Sequence, residues 1–136
     1  DLSASSSKDN FYTILSHSFE RALESMKPSF NEGSLALSGS SCILVLLPLT
    51  SANKIYCANV GDCRCVLYSM NNSIPLSYDH KPTIPSEKER IEKSGGIVMA
   101  NRVFIKGTNY PGLLNTRSIG DTIYNEIGVI SEPEVI

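Results

Sequence analysis

Lys54-Ile55-Tyr56-Cys57-Ala58-Asn59-Val60-Gly61-Asp62-Cys63-Arg64-Cys65-Val66-Leu67 decides how this chain is read. Two apolar runs, residues 55–60 and 65–68, flank Gly61-Asp62. Strand-forming residues on both sides of Gly-Asp predict a tight reversal between adjacent antiparallel strands. Asp62 then either braces the turn through nearby N–H groups or aims its carboxylate beyond the strand ends. Bracing is the commoner use of Asp in turns.

Working outward, residues 41–49 form a continuous apolar run of strand length, read as a buried strand. On the other side, residues 64–69 form the next strand, Met70-Asn71-Asn72-Ser73 turns the chain, and residues 74–77 give a short fourth strand. Connections this short cannot make parallel crossovers, so the strands form an antiparallel meander. Before them, Phe11, Ile14, Leu15, Phe19, Ala22, Leu23 and Met26 recur at three- and four-residue spacing. That predicts an amphipathic helix capped at Asp9 or Asn10 and stopped by Pro28, with a frayed, serine-rich stretch over residues 1–8. Residues 31–39 read as a loop. After the meander, Pro85 opens a helix over residues 86–93 that Gly95-Gly96 closes. Residues 97–99 and 103–105 are short strands around Ala100-Asn101. Residues 107–112 form a loop, residues 113–119 a short helix, and residues 128–136 an edge strand around Pro133.

The 136 residues, 41% hydrophobic and 19% charged, fit one globular domain. A net charge of −2 gives no pull toward nucleic acid or an anionic membrane. The longest apolar run is too short to span a bilayer. The start, Asp1-Leu2-Ser3, has neither a signal pattern nor an initiating methionine and reads as a piece of a longer protein. Cys42, Cys57, Cys63 and Cys65 include no CxxC pair, which argues against zinc. They read as small buried hydrophobes in a reducing, intracellular compartment, cytoplasmic or nuclear.

His17 is read as a surface residue. His80, in a loop before Lys81-Pro82, serves as a ligand, an acid or a hydrogen-bonded structural group, the last being commonest. Asp62, Asp79 and Asp121 each fall at a predicted turn. A divalent magnesium or manganese ion takes about six oxygens, and a two-metal site draws several carboxylates together. Spacing alone assembles no such site here. Arg64, Arg102 and Arg117 lie beside turns or strand ends, where each either braces a carboxylate or binds a phosphate bidentately.

Several stretches in order are more specific: Ser38-Gly39-Ser40-Ser41-Cys42, Ala58-Asn59-Val60-Gly61-Asp62-Cys63-Arg64, and Asp79-His80-Lys81-Pro82. Glu87-Lys88-Glu89-Arg90-Ile91 with Gly95-Gly96 follows, then Pro111-Gly112-Leu113 and Thr116-Arg117-Ser118-Ile119-Gly120-Asp121. Gly128-Val129-Ile130-Ser131-Glu132-Pro133-Glu134-Val135 comes last. The series resembles the central part of the metal-dependent serine/threonine protein phosphatases of type 2C, the PPM family. The resemblance covers nearly everything after Ser38, and the preceding helix also fits.

The resemblance implies an α+β fold: a partial α-β-β-α sandwich of antiparallel sheets with flanking helices, residues 1–136 forming an incomplete domain. It implies hydrolysis of phosphoserine and phosphothreonine in protein substrates, with two Mg²⁺ or Mn²⁺ ions activating a water. By carry-over, Asp62 is a ligand of an additional, weaker metal, Arg102 contacts the phosphorylated substrate, and residues 82–102 form a flap beside the cleft. Arg64, Asp79, His80, Arg117 and Asp121 are implied to brace the structure. The acidic motifs that hold the family's main metal pair are absent from these residues, as is the phosphate-gripping arginine. Cys63 stands where the family commonly has serine, and the stretch 103–110 is longer than its common form. No catalytic residue is therefore assigned, tight metal binding by this chain is not expected, and the isolated chain is expected to be inactive. A pseudophosphatase scaffold that binds a partner protein is the alternative. A sandwich cut short would also expose apolar sheet surface for self-association.

Overall fold

Five consecutive buried residues, Tyr56–Val60, form the strand on which the molecule is organised. The structure is a computed structural model that describes residues 3–30, 32–49 and 54–136, with side chains from Asn10 onward except that of Glu32. In chain order the helices are α1 (Ser3–Met26), α2 (Glu32–Ala36) and α3 (Pro85–Lys93), with 3-10 turns at Lys27–Ser29 and Thr122–Ile127. The strands are β1 (Gly39–Ser40), β2 (Cys42–Leu46), β3 (Tyr56–Val60), β4 (Val66–Ser69), β5 (Asn72–Pro75), β6 (Ile97–Met99), β7 (Arg102–Phe104), β8 (Ile119–Gly120) and β9 (Glu134–Val135).

β3 is the middle strand of the sheet β2-β3-β9, antiparallel to both neighbours. Its alternate residues face opposite ways. Tyr56, Ala58 and Val60 meet Leu15 and Phe19 of α1 in one core cluster, with Phe11, Cys42, Leu46, Ile119 and Val135 packed against it. The other face carries Cys57 and Asn59, and the chain beyond Gly61 covers it. The Cys57 thiol meets Cys65, and the Asn59 amide donates to the Tyr78 carbonyl at 2.9 Å. A second cluster gathers Ile91 of α3, Val103 of β7, and Tyr124, Ile127 and Val129.

This arrangement corrects the reading of Gly61-Asp62 as a hairpin turn. β4 pairs with β5 and not with β3. At Gly61 the chain leaves the sheet and crosses onto its opposite face, and burial of Cys57 and Asn59 outweighs local strand pairing. The run 41–49, read as buried, contributes a five-residue edge strand with Leu44 and Val45 exposed, because β3 alone covers its flank.

The helix expected over residues 113–119 is absent. Leu113 exchanges two backbone bonds with Val103 (2.8 and 3.0 Å), and Thr116 N donates to the His80 carbonyl and Ser118 N to the Ile130 carbonyl, both at 3.0 Å. These donors are therefore engaged across the fold rather than along a helix. α1 runs through Asp9 and Asn10 instead of being capped there. Of the stretch expected to fray, residues 3–8 lie within α1, and residues 1 and 2 lie outside the described ones. The loop expected over residues 31–39 contains α2, which buries Leu35.

The turn signals at residues 70–71 and 100–101 are met, whereas the strands expected over residues 74–77 and 128–136 form as β5 (Asn72–Pro75) and the shorter β9 (Glu134–Val135). Met70 and Asn71 both take positive φ (42° and 72°), the left-handed pair of a two-residue hairpin. Ala100 and Asn101 do the same between β6 and β7. Among the described residues, no helix is long and apolar enough to cross a membrane.

Candidate functional site

Asp62 follows directly on the chain crossing at Gly61, and residues from distant parts of the sequence converge on it. Its Oδ1 accepts from the Ser41 hydroxyl at 2.9 Å and from the Asn115 amide at 3.2 Å. Its backbone N–H donates back to Ser41 Oγ at 3.3 Å, and Asn115 Nδ2 reaches the same hydroxyl at 3.0 Å. Its Oδ2 lies 3.2 Å from Lys81 Nζ. Partial burial pushes the Asp62 carboxyl up, but bonds from Ser41, Lys81 and Asn115 outweigh it and hold the group below its ordinary value. Asp62 is thus ionised and aimed by its neighbours. It does not brace its own turn.

Lys81 also approaches Asp79 Oδ2 at 3.8 Å. Asp79 is held by Arg64 through two bonds of 2.8 and 3.1 Å. Behind them, His80 is buried. Its Nδ1 accepts from Gly61 N at 3.1 Å and its backbone N–H donates to the Gly61 carbonyl at 3.0 Å. Burial first, and the positive charge of Arg117 second, lower His80 to about 4.

A pH dependence follows. The folded value lies below the ordinary 6.5, so the stability from neutral His80 is complete above that pH and is lost as pH falls toward 4. Thermal melts between pH 7 and 4.5 are expected to show a loss on the order of 1–2 kcal/mol from this group. His80→Asn, whose carbonyl can still accept from Gly61 N–H, should show a flatter dependence. An equal slope in both proteins would assign the pH dependence elsewhere.

Glu87, in the first turn of α3, is the buried hub of a second network. It takes paired bonds from Arg90 (2.8 and 2.7 Å), 2.7 Å from Arg117 Nη2 and 2.5 Å from the Thr116 hydroxyl. Burial pushes its carboxyl up, and Arg90, Arg117 and Thr116 together override that and drive it far below the ordinary glutamate range. Arg90 also donates to the Gly128 and Thr116 carbonyls at 2.9 and 2.8 Å, tying α3 to the following chain.

Arg102 is exposed on β7 and donates to the Gly112 carbonyl at 2.7 Å. No bond among the described residues joins it to Asp62, but Gly112 and Asn115 belong to one short run of chain. Arg64 and Arg117 pair with acids as read from the sequence. Asp121 accepts from the Ser118 hydroxyl at 2.7 Å. Ser41, Lys81 and Asn115 were missed as partners of Asp62. Ser41 and Lys81 lie in the stretches that carry the family resemblance, whereas Asn115, 53 residues away from Asp62, has no local signal. Glu87 opens the Glu87–Ile91 stretch of the resemblance, but nothing in the sequence marked it as the partner of Arg90 and Arg117.

Among the described residues no group of three His, Cys, Asp or Glu side chains is placed to hold a metal ion. One hard, ionised carboxylate with neighbouring neutral oxygens does fit a single contact to a largely hydrated Mg²⁺ or Mn²⁺. Beside it, Asn115 Oδ1 is a buried acceptor with no protein partner.

A family model described as Protein phosphatase 2C matches residues 1–136. Among curated proteins, the chain is 37% identical over 112 residues to Probable protein phosphatase 2C 12 of Oryza sativa subsp. japonica, covering 74% of this chain and 28% of the rice protein. It is 36% identical over 124 residues to the Homo sapiens Integrin-linked kinase-associated serine/threonine phosphatase 2C, covering 86% and 28%. The chain thus spans under a third of the length of these relatives. A solved structure of a serine-threonine phosphatase 2C from Toxoplasma gondii matches the whole chain and 49% of its own, with a TM-score of 0.70 at 21% identity. The structure of a C. elegans sex determining protein matches 89% of the chain with a TM-score of 0.71 at 23% identity. These two likenesses establish the fold, α+β with antiparallel sheets and flanking helices.

Proposed function

The chain belongs to the protein phosphatase 2C family, and on that premise we propose that it forms part of a Mn²⁺- or Mg²⁺-dependent phosphatase acting on phosphoserine and phosphothreonine in proteins. The observation that carries the reading is the family match over all 136 residues, joined to an ionised Asp62 clamped at the end of β3. A bound divalent pair, in this family, supplies an activated water and neutralises phosphoryl charge.

This chain's own residues have narrower tasks. Ser41 and Asn115 fix one oxygen of Asp62, so the carboxylate points in one direction and offers a single contact to a weakly held cation. Arg102 reaches the phosphorylated substrate, and residues 82–102, containing α3 and β6, form the flap beside the cleft. Exposed Leu44, Val45, Leu47 and Leu49 offer apolar surface to further chain or to a second copy. Four free thiols suit an intracellular, reducing setting.

In the protein that carries this chain, Asp62→Ala is expected to raise the Mn²⁺ concentration for half-maximal activation several-fold while leaving tightly held metal in place. Phosphopeptide hydrolysis titrated with Mn²⁺ and metal analysis after gel filtration read the two effects, and an unchanged Mn²⁺ dependence would return Asp62 to a structural role. The chain of 136 residues alone should show no turnover above blank. The second reading, a scaffold that keeps the fold and binds a partner protein, draws on the same lack of a three-ligand cluster among the described residues. Inactivity of the carrying protein with Mn²⁺ present would favour it.

A further inference from the structure

The two oxygens of Asp62 are held by different chemistry. Oδ1 is fixed by neutral donors from distant chain, Ser41 and Asn115. Oδ2 faces the ammonium of Lys81 at 3.2 Å, and both side chains of that pair are about one-third exposed. An ammonium and a divalent cation seek the same anionic oxygen, and both cannot hold it closely. Lys81 has a second acceptor within reach, Asp79 Oδ2 at 3.8 Å. Asp79 is bonded to Arg64 through both oxygens, and a lysine leaving Asp62 would still face this second carboxylate.

We infer that Lys81 is a built-in competitor for the cation at Asp62. Its ammonium covers Oδ2 when no divalent ion is bound, shifts onto Asp79 when one arrives, and so sets how much Mn²⁺ or Mg²⁺ the site requires. The inference rests on the reading of Asp62 as a metal ligand. An exposed ion pair of this kind shifts a competing equilibrium by only about two- to five-fold, which tunes a weak site without closing it.

The test titrates Mn²⁺ into the ¹⁵N-labelled chain and follows paramagnetic broadening of the Gly61 and Asp62 amide signals, with signal dispersion reporting the fold in the same samples. Lys81→Gln is expected to lower the Mn²⁺ concentration for half-broadening by about three-fold. Lys81→Arg, which keeps the cation, should match the natural chain. Asp62→Asn should abolish site-selective broadening in the natural and Lys81→Gln backgrounds alike. Lys88→Gln removes an exposed charge from α3 and controls for net charge. Loss with Asp62→Asn but no gain with Lys81→Gln overturns the competition and leaves the ligand reading standing. An equal gain with Lys88→Gln also overturns it. Undiminished broadening with Asp62→Asn overturns the ligand reading itself.

Discussion

Glu87→Ala is expected to destabilise the chain by about 3–5 kcal/mol, the cost typical of breaking a buried ion pair by removing one partner. The Glu87 side chain is 5% exposed, and Arg90 and Arg117, at 26% and 17%, both converge on it. Truncation leaves two guanidinium groups facing each other without the anion between them, and the Thr116 hydroxyl without its acceptor. The damage reaches α3, the chain at residues 116–117 and the stretch ending in Pro133, since Arg117 also donates to the Glu132 carbonyl at 2.9 Å. Urea unfolding followed by circular dichroism measures it, and a loss below 1 kcal/mol would show the network to be dispensable.

The same group sets an acid limit. The folded carboxyl lies far below its ordinary 4.5, so its stabilisation is present above that pH and drains away as pH falls below it. This is a lower window than that of His80. Glu87→Gln should remove the steep acid limb while leaving the His80 limb in place.

Gly61→Ala is expected to cost about 2–4 kcal/mol, combining backbone strain with overpacking. Gly61 has φ +91°, and an added Cβ would stand 2.2 Å from Ser41 Oγ, 2.7 Å from Ser41 Cβ and 3.0 Å from its Cα. A methyl there cannot be accommodated without moving Ser41, the hydroxyl that fixes Asp62. The substitution should therefore weaken Mn²⁺ activation of the carrying protein as well as stability. Gly95→Ala separates the two causes. Gly95 has a similar φ, +86°, but no atom lies within 4 Å of its added Cβ. Its cost should stay near 1 kcal/mol, with Mn²⁺ dependence unchanged. Equal costs at the two glycines would remove Ser41 from the explanation.

Elements whose signals are local were legible in the sequence. Pro85 and Gly95 bracket α3, Met70-Asn71 and Ala100-Asn101 make the two tight hairpins, and three- and four-residue spacing marks α1. Elements settled by distant partners were not. Residues 113–119, apolar but broken by Asn115, Thr116 and Arg117, were read as a short helix, yet their backbone groups bond Val103, His80 and Ile130. Gly61-Asp62 carries a hairpin signature, yet the chain crosses to the far side of β3 because Cys57 and Asn59 need cover there.

The candidate site divides the same way. Asp62 and Arg102 were named through family resemblance, whereas the lysine, serine and asparagine that condition Asp62 come from other segments and became visible only on folding. Sequence spacing likewise gave no sign that a glutamate in a first helical turn, ordinarily solvated, would be the anionic centre for two arginines.

The short run from Gly112 to Thr116 holds Arg102 by a carbonyl at one end and reaches Asp62 through Asn115 near the other. Between them it is stitched to Val103, and Thr116 is pinned to His80 and Glu87. On the roles proposed for Arg102 and Asp62, substrate docking and ion retention would share one span of backbone, with no bond among the described residues between the two side chains.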